Sequence, residues 1–267
     1  MFDHKNSPQM QRSHGDAAVR FEAGRLKGLR QRGSAKAQLP RVGAVPEVVF
    51  LNTSGGLTSG DTLSYALDIE GGRVVATTQA AERAYRADDG AATVRVTHRV
   101  GAGSWLDWVP QETILFDRSH IDRHTVIDLA PDAGCLMLEA VVLGRHAMGE
   151  IVGTLGLRDR REIRRAGRPV MIEPFVMGTA ELGHRGALLG DARAFATMVM
   201  CCQGAEDAVS RVRDVLDEEG VEAAASGFDG KVIMRCIARD GWPLRKQLLR
   251  VMAVLRGNVP APRVWQI

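Results

Sequence analysis

The sequence predicts a mostly β protein that carries a few α-helices toward its C-terminus. Residues 93–100, TVRVTHRV, alternate between a mainly apolar and a polar set of side chains, which is the period of a strand with one buried face. Other short runs rich in β-branched residues are separated by Gly, Asp and Pro, which are typical of turns. After Gly190 the pattern becomes helical, so we expect a few helices to pack on the β-structure.

Six further segments before Gly190 have the composition of strands. Each is short, apolar and bounded by residues that favour turns. They are EVVFL from Glu47, RVVATTQ from Arg73, ETILF from Glu112, HTVIDL from His124, CLMLEAVVL from Cys135 and VMIEPFVM from Val170.

The C-terminal part is predicted to contain three helices and one strand. Residues 191–202 and 205–220 are expected to be helical, and the second of these helices should end at Gly220. Residues 231–238, KVIMRCIA, have the pattern of a strand. Residues 242–257 are expected to form the last helix, since they place a proline in the first turn and leucines along one face.

The chain is expected to form one domain. It has 267 residues, and a low-complexity linker that would divide it is not visible. Residues 1–17 are polar, lack the apolar centre of a secretory signal, and are predicted to be a flexible tail. Residues 18–267 would then form the single domain, and its apolar runs are too short to predict a membrane-spanning helix.

The four cysteines indicate a reducing compartment. Cys135, Cys201, Cys202 and Cys236 have no CxxC spacing or zinc-binding pattern, and their neighbours are apolar. Buried free thiols are therefore expected, and these favour a cytoplasmic location.

The charge distribution argues against nucleic-acid binding. The formal net charge is only +3. The most basic segment, residues 158–168, has six arginines, but it contains two acidic residues and lacks the aromatic side chains on which bases would stack. We therefore expect this segment to be a solvated or protein-facing surface.

Residues 51–62, LNTSGGLTSGDT, have two glycines spaced as in a phosphate-binding loop. The position that would hold the essential lysine is Asp61, whose charge would repel phosphate. The segment also leads into a predicted strand instead of a helix. Two interpretations remain open, namely a simple glycine-rich turn and a turn that presents Asp61 to a cation or a partner.

Two carboxylates interrupt apolar strands. Glu139 lies within CLMLEAVVL and Glu173 within VMIEPFVM, where a lone charge would be costly. Each must be paired, protonated or hydrated. Ordinary salt bridges to arginines and a hydrated polar interior, such as a channel, are both possible. A hydrolase or lyase with paired carboxylates is a further alternative.

Five segments resemble the signature blocks of the urease accessory protein UreD (UreH) family, and they occur in the family's order. These segments are LNTSGGLTSGD, TTQAAERAYR, WVPQETILFDRS, GRHAMGE and the terminal PRVWQI. Ser59 departs from the second glycine that is usual before the aspartate.

This resemblance implies an irregular β-helix-like assembly with helices near the C-terminus. It implies a scaffold without catalytic activity or a tightly bound cofactor, which binds UreF-like and UreG-like accessory proteins and assists GTP-dependent nickel insertion into apo-urease. Nickel would pass transiently through a hydrated passage, which weakly binding carboxylates should line. The candidate lining residues are Asp61, Glu82, Glu112, Glu139 and Glu173.

Overall fold

In the computed structural model, which describes residues 11–41, 43–145 and 148–266, seventeen strands form two facing sheets. The strands are β1 (His14–Glu22), β2 (Arg25–Gly33), β3 (Ala35–Gln38), β4 (Glu47–Asn52), β5 (Thr62–Glu70), β6 (Gly72–Thr78), β7 (Glu82–Ala84), β8 (Ala92–Val100), β9 (Ser104–Trp108), β10 (Thr113–Leu115), β11 (Ser119–Leu129), β12 (Gly134–Leu143), β13 (Leu155–Arg165), β14 (Arg168–Gly178), β15 (Ala194–Cys201), β16 (Val221–Phe228) and β17 (Lys231–Ala238).

The helices are short except for the last one. They are α1 (Thr179–Gly183), α2 (Arg185–Leu188), α3 (Val209–Arg213) and α4 (Gly241–Leu255), together with 3₁₀ helices at Ala205–Ala208 and Arg263–Trp265. Among the helices of the described ranges, none combines the length and the apolar character that crossing a bilayer requires.

The chain winds back and forth between the two sheets. Sheet I has the strand order β14-β13-β11-β8-β5-β1-β2, and sheet II has the order β16-β17-β15-β12-β9-β6-β4-β3, with β10 and β7 added beside β12. Apart from β7 and β10, which extend sheet II, the chain alternates between the sheets from β4 to β13, so the central strands of each sheet run parallel. The prediction of a mostly β fold with helices near the C-terminus is confirmed. The β-helix-like character stays a prediction.

Two apolar layers hold the sheets and helices together. The first lies between the inner faces of the sheets, and the second lies between sheet II and helix α4. Sheet II is therefore covered on both faces, whereas the outer face of sheet I meets solvent. The alternating exposure along β8 follows from this arrangement, since one side of that strand faces the core.

The predicted helix at residues 191–202 is wrong. Residues Ala194–Cys201 form β15, and all eight are buried. Because both faces of sheet II are covered, the strand has no polar face, and its sequence lacks the alternation that identifies half-buried strands. A continuous apolar run of this length is ambiguous between a helix and a strand.

The predicted helix at residues 205–220 is shorter than expected. It ends at Arg213, after one turn of 3₁₀ helix and α3. The buried side chain of Gln247 on α4 then replaces helical hydrogen bonds, because its Nε2 donates to the Val215 carbonyl (2.8 Å) and its Oε1 accepts from the Glu218 amide (3.1 Å). By contrast, the last predicted helix and the strand before it are confirmed as α4 and β17.

Two local expectations also change. Strand β1 begins at His14, so the domain starts before the predicted boundary at Ala17, while residues 1–10 lie outside the described residues. Within the arginine-rich segment, Arg161 points into the core and is 1% exposed, although its neighbours Arg158 and Arg160 face solvent as expected. The cysteines are free thiols, and Cys135, Cys201 and Cys236 are buried as predicted.

Candidate functional site

The glycine-rich turn is held by a buried carboxylate. Asp61 is 4% exposed, and its Oδ1 and Oδ2 accept hydrogen bonds from the backbone amides of Ser13 (2.7 Å) and Thr58 (2.8 Å). Gly60 has a φ of +72°, a conformation that favours glycine. Asp61 therefore ties the turn to the residue that precedes β1, and the interpretation that the turn presents Asp61 to a cation or a partner stays a prediction.

Replacing Asp61 with alanine is expected to lower the free energy of unfolding by about 1–3 kcal/mol, because the partly buried amides of Ser13 and Thr58 lose a charged acceptor. The matched variant Asp61→Asn keeps one acceptor oxygen and should lose less. Denaturant unfolding of the two variants beside the wild type would measure both effects. An unchanged midpoint for the alanine variant would contradict this structural role.

Glu82 lies between an outer pocket and an internal cavity. The outer pocket is about 160 Å³ and the internal cavity about 40 Å³, and Glu82 lines both together with Tyr65 and Thr78. Asn52 Nδ2 donates to Glu82 Oε1 at 3.2 Å. Burial raises the Glu82 pKa to about 7, which outweighs the opposing hydrogen bond from Asn52, and the nearby charge of Asp61 adds to the rise.

The internal cavity lies in the core between the sheets, and its mostly apolar walls carry a few charged and polar groups. The charged side chains of Glu82, Arg123 and Glu139 line it together with Gln111 and Thr113. A volume of about 40 Å³ is enough for water, since one water molecule needs about 10–15 Å³ of this kind of space. The cavity can therefore hold ordered water at its charged and polar groups.

The Arg123 side chain forms part of the wall of this cavity. It contacts Glu139 Oε2 at 2.8 Å, Asp159 at 2.6 and 2.9 Å, and Thr113 Oγ1 at 3.0 Å. Burial opposes the charge on Arg123, but Asp159 and Glu139 outweigh it and raise the pKa of the guanidinium. Glu139 also accepts from Trp108 Nε1 at 3.2 Å. The ordinary salt bridge expected for Glu139 is thus present, and it borders the internal cavity.

Two rows of polar side chains continue from this point toward the edge of both sheets. The strand registers align the members of each row, and the rows face one another across the core. The row of sheet I consists of Thr125, Arg161 and Glu173, and the row of sheet II consists of Glu139, Thr197 and Arg235. We call these rows, with Glu82, Arg123 and Asp159, the polar seam.

Ion pairs link the seam from the core to the surface. Arg161 bridges Asp159 (2.5 Å) and Glu173 (2.8 Å), and Glu173 also pairs with Arg235 at 2.7 Å. Although burial disfavours its charge, Arg123 and Arg161 hold the Asp159 pKa below its ordinary range. The outer end opens into a groove of about 570 Å³, whose lining includes Arg161, Glu173 and Arg235.

The structure thus brings together only some of the five candidate carboxylates. Glu82, Glu139 and Glu173 belong to the seam. Glu112 lies outside it: its carbonyl accepts from the Glu82 amide at 3.0 Å, and its side chain is half-buried. In the described residues, no group of three or more His, Cys, Asp and Glu side chains has a metal-binding arrangement.

Sequence reasoning missed Arg123, Asp159 and Arg161. A signal for them exists in the alternation of their strands. Arg123 shares a strand face with Ile121 and Ile127 of β11, so a charge stands on the buried face of that strand. The partners could not be deduced from this signal, because Asp159 is 36 residues away.

A family model described as UreD urease accessory protein matches residues 13–266. The chain belongs to the UreD family. It is similar to the protein named urease accessory protein UreD of Cereibacter sphaeroides (strain ATCC 17025), with 60% identity over 265 residues and 96% of each chain covered. The protein of that name from Paracoccus denitrificans is 49% identical over all of this chain and 97% of its own.

More distant relatives carry the same name. The urease accessory protein UreD of Rhizobium leguminosarum bv. viciae is 42% identical over 266 residues, with 97% of each chain covered. The resemblance expected from the five sequence blocks is therefore confirmed.

In this UreD-family chain, the five blocks contact one another in space. Leu57 of the first block forms a β-bridge with Ala84 of the second, and β7 of the second pairs with β10 of the third. The third block meets the fourth where the Gly144 amide donates to the Leu115 carbonyl (2.8 Å). The third also meets the fifth where Trp265 Nε1 donates to the Val109 carbonyl (2.8 Å). The blocks therefore build one connected region, and residues of the first two line the outer pocket.

The departure at Ser59 in this UreD-family chain has a structural counterpart. Ser59 is fully buried, and its hydroxyl oxygen accepts a hydrogen bond from the Asp89 amide at 3.0 Å. The serine thus holds the 85–91 loop against the glycine-rich turn. A glycine has no hydroxyl and could not make this contact. The serine therefore adds a hydrogen bond between the turn and the loop and leaves the turn intact.

Proposed function

We propose that this protein is a urease maturation factor that assists nickel insertion into apo-urease, with the polar seam providing a hydrated passage for the ion. It would act in the cytoplasm as a scaffold with UreF-like and UreG-like proteins, the latter supplying GTP hydrolysis, and would itself catalyse no reaction and hold no cofactor tightly. The observation that carries the proposal is a line of carboxylates across the core of a UreD-family protein.

The chemistry of the seam supports a transiently bound divalent cation. Carboxylates and neutral oxygens bind hydrated divalent ions, and a weak set of such ligands lets the ion leave again. The seam contains four carboxylates, those of Glu82, Glu139, Asp159 and Glu173, against three arginines. When Glu82 is ionised, one negative charge remains, which favours a cation over an anion.

Exposed apolar side chains support a role in a complex. Backbone hydrogen bonds from the Leu143 amide to Arg193 and from the Arg193 amide to Ala238 bring the ends of three strands of sheet II together. Large apolar side chains are exposed in β14, in helices α2 and α4 and in the loop before β13, and exposed apolar patches commonly mark protein interfaces. They include Ile151, Val176, Leu188 and Trp242. We propose that UreF-like protein or apo-urease covers part of this surface.

The test of the passage is nickel loading with Glu82→Gln, which keeps the size of the side chain and removes its charge. We expect a severalfold lower rate of nickel incorporation into urease, because the ion loses the carboxylate between the outer pocket and the cavity. The assay would combine apo-urease, the accessory proteins, GTP and nickel, with bound nickel measured by elemental analysis. Glu219→Gln is the control, since it makes the same change at an exposed position outside the seam.

The partner part of the proposal is tested separately by co-purification with tagged UreF-like protein. Both variants should co-purify as the wild type does. Full loading by a folded, complex-forming Glu82→Gln protein would refute the passage, whereas failure of the wild type to co-purify would refute the scaffold.

A further inference from the structure

The seam meets solvent at two places. The first is the outer pocket at Glu82, which shares its walls with the internal cavity. The second is the groove at the other end, between the edge of sheet I at β14 and strands β15 to β17 of sheet II. The Arg161 side chain lies between the internal cavity and this groove.

The position of Arg161 is defined by contacts on both sides. On the inner side, its guanidinium contacts Asp159, which in turn holds Arg123 at the cavity wall. On the outer side, it contacts Glu173 in the groove. Its guanidinium carbon lies 6.0 Å from the centre of the Phe175 ring, which packs on Phe195. The Arg161 side chain therefore separates the internal cavity from the groove and makes charged contacts on both sides.

Arg161 is not the only cationic partner of the two carboxylates that it contacts. Asp159 also has a two-point contact with Arg123, and Glu173 also pairs with Arg235. Each carboxylate would therefore keep a cationic partner if Arg161 moved away. Buried charges are destabilising when a partner is lost, so this double pairing lowers the cost of moving Arg161. The groove beside it offers about 570 Å³ into which the side chain can turn.

We propose that the Arg161 side chain is a movable barrier that closes the passage, and that the groove is the second opening. This inference rests on the proposed passage and adds its route. A cation that enters at Glu82 reaches Glu139 but meets the guanidinium groups of Arg123 and Arg161 beyond it. Movement of the Arg161 side chain into the groove removes its positive charge from the path of the cation. It also connects the internal cavity with the groove.

The test measures access across the barrier, independently of nickel. Thr125 is fully buried and stands in register with Arg161 on the inner side. A cysteine placed there by Thr125→Cys is exposed to a small cationic thiol reagent, 2-aminoethyl methanethiosulfonate, and peptide mass spectrometry reads its modification at residue 125 alone. Ala224→Cys is the positive control, because Ala224 lines the groove, is exposed and should react in every background.

Labelling at residue 125 is compared in the wild type and in two variants at residue 161, which separates a steric barrier from an effect of charge. Arg161→Ala removes the bulk and the charge, whereas Arg161→Met removes the charge and keeps most of the bulk. We expect labelling at residue 125 to be at least about tenfold faster in Arg161→Ala than in the wild type, which is equivalent to about 1.4 kcal/mol in barrier height. In Arg161→Met, labelling should stay as slow as in the wild type. Arg161→Ser is a second small variant, and thermal melts verify that each protein is folded.

Equal labelling in all folded backgrounds would overturn the barrier. Nickel loading of urease by Arg161→Ala is then compared with the wild type in the complete accessory complex. Faster loading together with faster labelling supports the inference. Faster labelling with unchanged loading overturns the groove as the opening that nickel uses, while the separate Glu82→Gln result still decides whether the passage itself exists.

Discussion

Replacing Arg123 with methionine is expected to lower the free energy of unfolding by about 3–5 kcal/mol, the range found when one member of a buried ion pair is removed. The change leaves Glu139 without its guanidinium partner at 2.8 Å, while Asp159 keeps Arg161. Methionine fills a similar space, so the loss reports mainly the uncompensated charge. Urea or guanidinium unfolding at neutral pH would measure it.

A double-mutant cycle assigns the loss to the pair. Glu139→Gln removes the charge and keeps an oxygen that can accept from Trp108 Nε1. The combination Arg123→Met with Glu139→Gln should be more stable than Arg123→Met alone, because no unpaired charge remains at residue 139. If Arg123→Met costs less than about 1 kcal/mol, as an exposed pair would, the buried network does not contribute as described.

The second large effect is a change in pH dependence with Glu82→Gln. The folded protein holds the Glu82 proton up to a pKa of about 7, while the unfolded chain releases it near 4.5. Between these values the folded state binds more protons, so the free energy of unfolding falls as pH rises and levels off above about pH 7. The glutamine variant lacks this loss and should be more stable than the wild type at pH 8.

The expected difference is about 3 kcal/mol at pH 8 and close to zero at pH 4, since one pKa unit corresponds to about 1.4 kcal/mol. Melting temperatures of the wild type and Glu82→Gln across this range would measure it, and the difference between the two curves removes the contribution of other groups. Glu219→Gln serves again as the control and should follow the wild-type curve. Parallel curves for Glu82→Gln and the wild type would show that burial does not shift this carboxyl.

Greater stability of Glu82→Gln at neutral pH would also bear on function. A buried carboxylate lowers the stability of the folded protein. Such destabilising charged groups are common at functional sites, where the charge is needed for binding or catalysis. Together with reduced nickel loading, this result would connect the cost of burying Glu82 to the passage.

How well the fold could be predicted depended on which face of each strand is covered. Strand β8 was recognisable because sheet I has one face in solvent, so polar side chains mark that face. Strand β15 was not recognisable because sheet II is covered by sheet I and by helix α4, which removes the polar face altogether. Likewise, the end of α3 depends on Gln247, more than thirty residues away, which short-range patterns do not contain.

For the site, the sequence by itself determined that Glu139 and Glu173 interrupt apolar strands, and its ordered blocks predicted the UreD family. Only the tertiary structure decided that Asp61 holds a turn, that Glu112 lies apart, and that the other carboxylates meet Arg123 and Arg161 in one seam. The physical reason is that a buried charge can be recognised in the sequence of its own strand, since it interrupts a row of apolar side chains. Its partner lies on another strand, and strand register alone brings the two together.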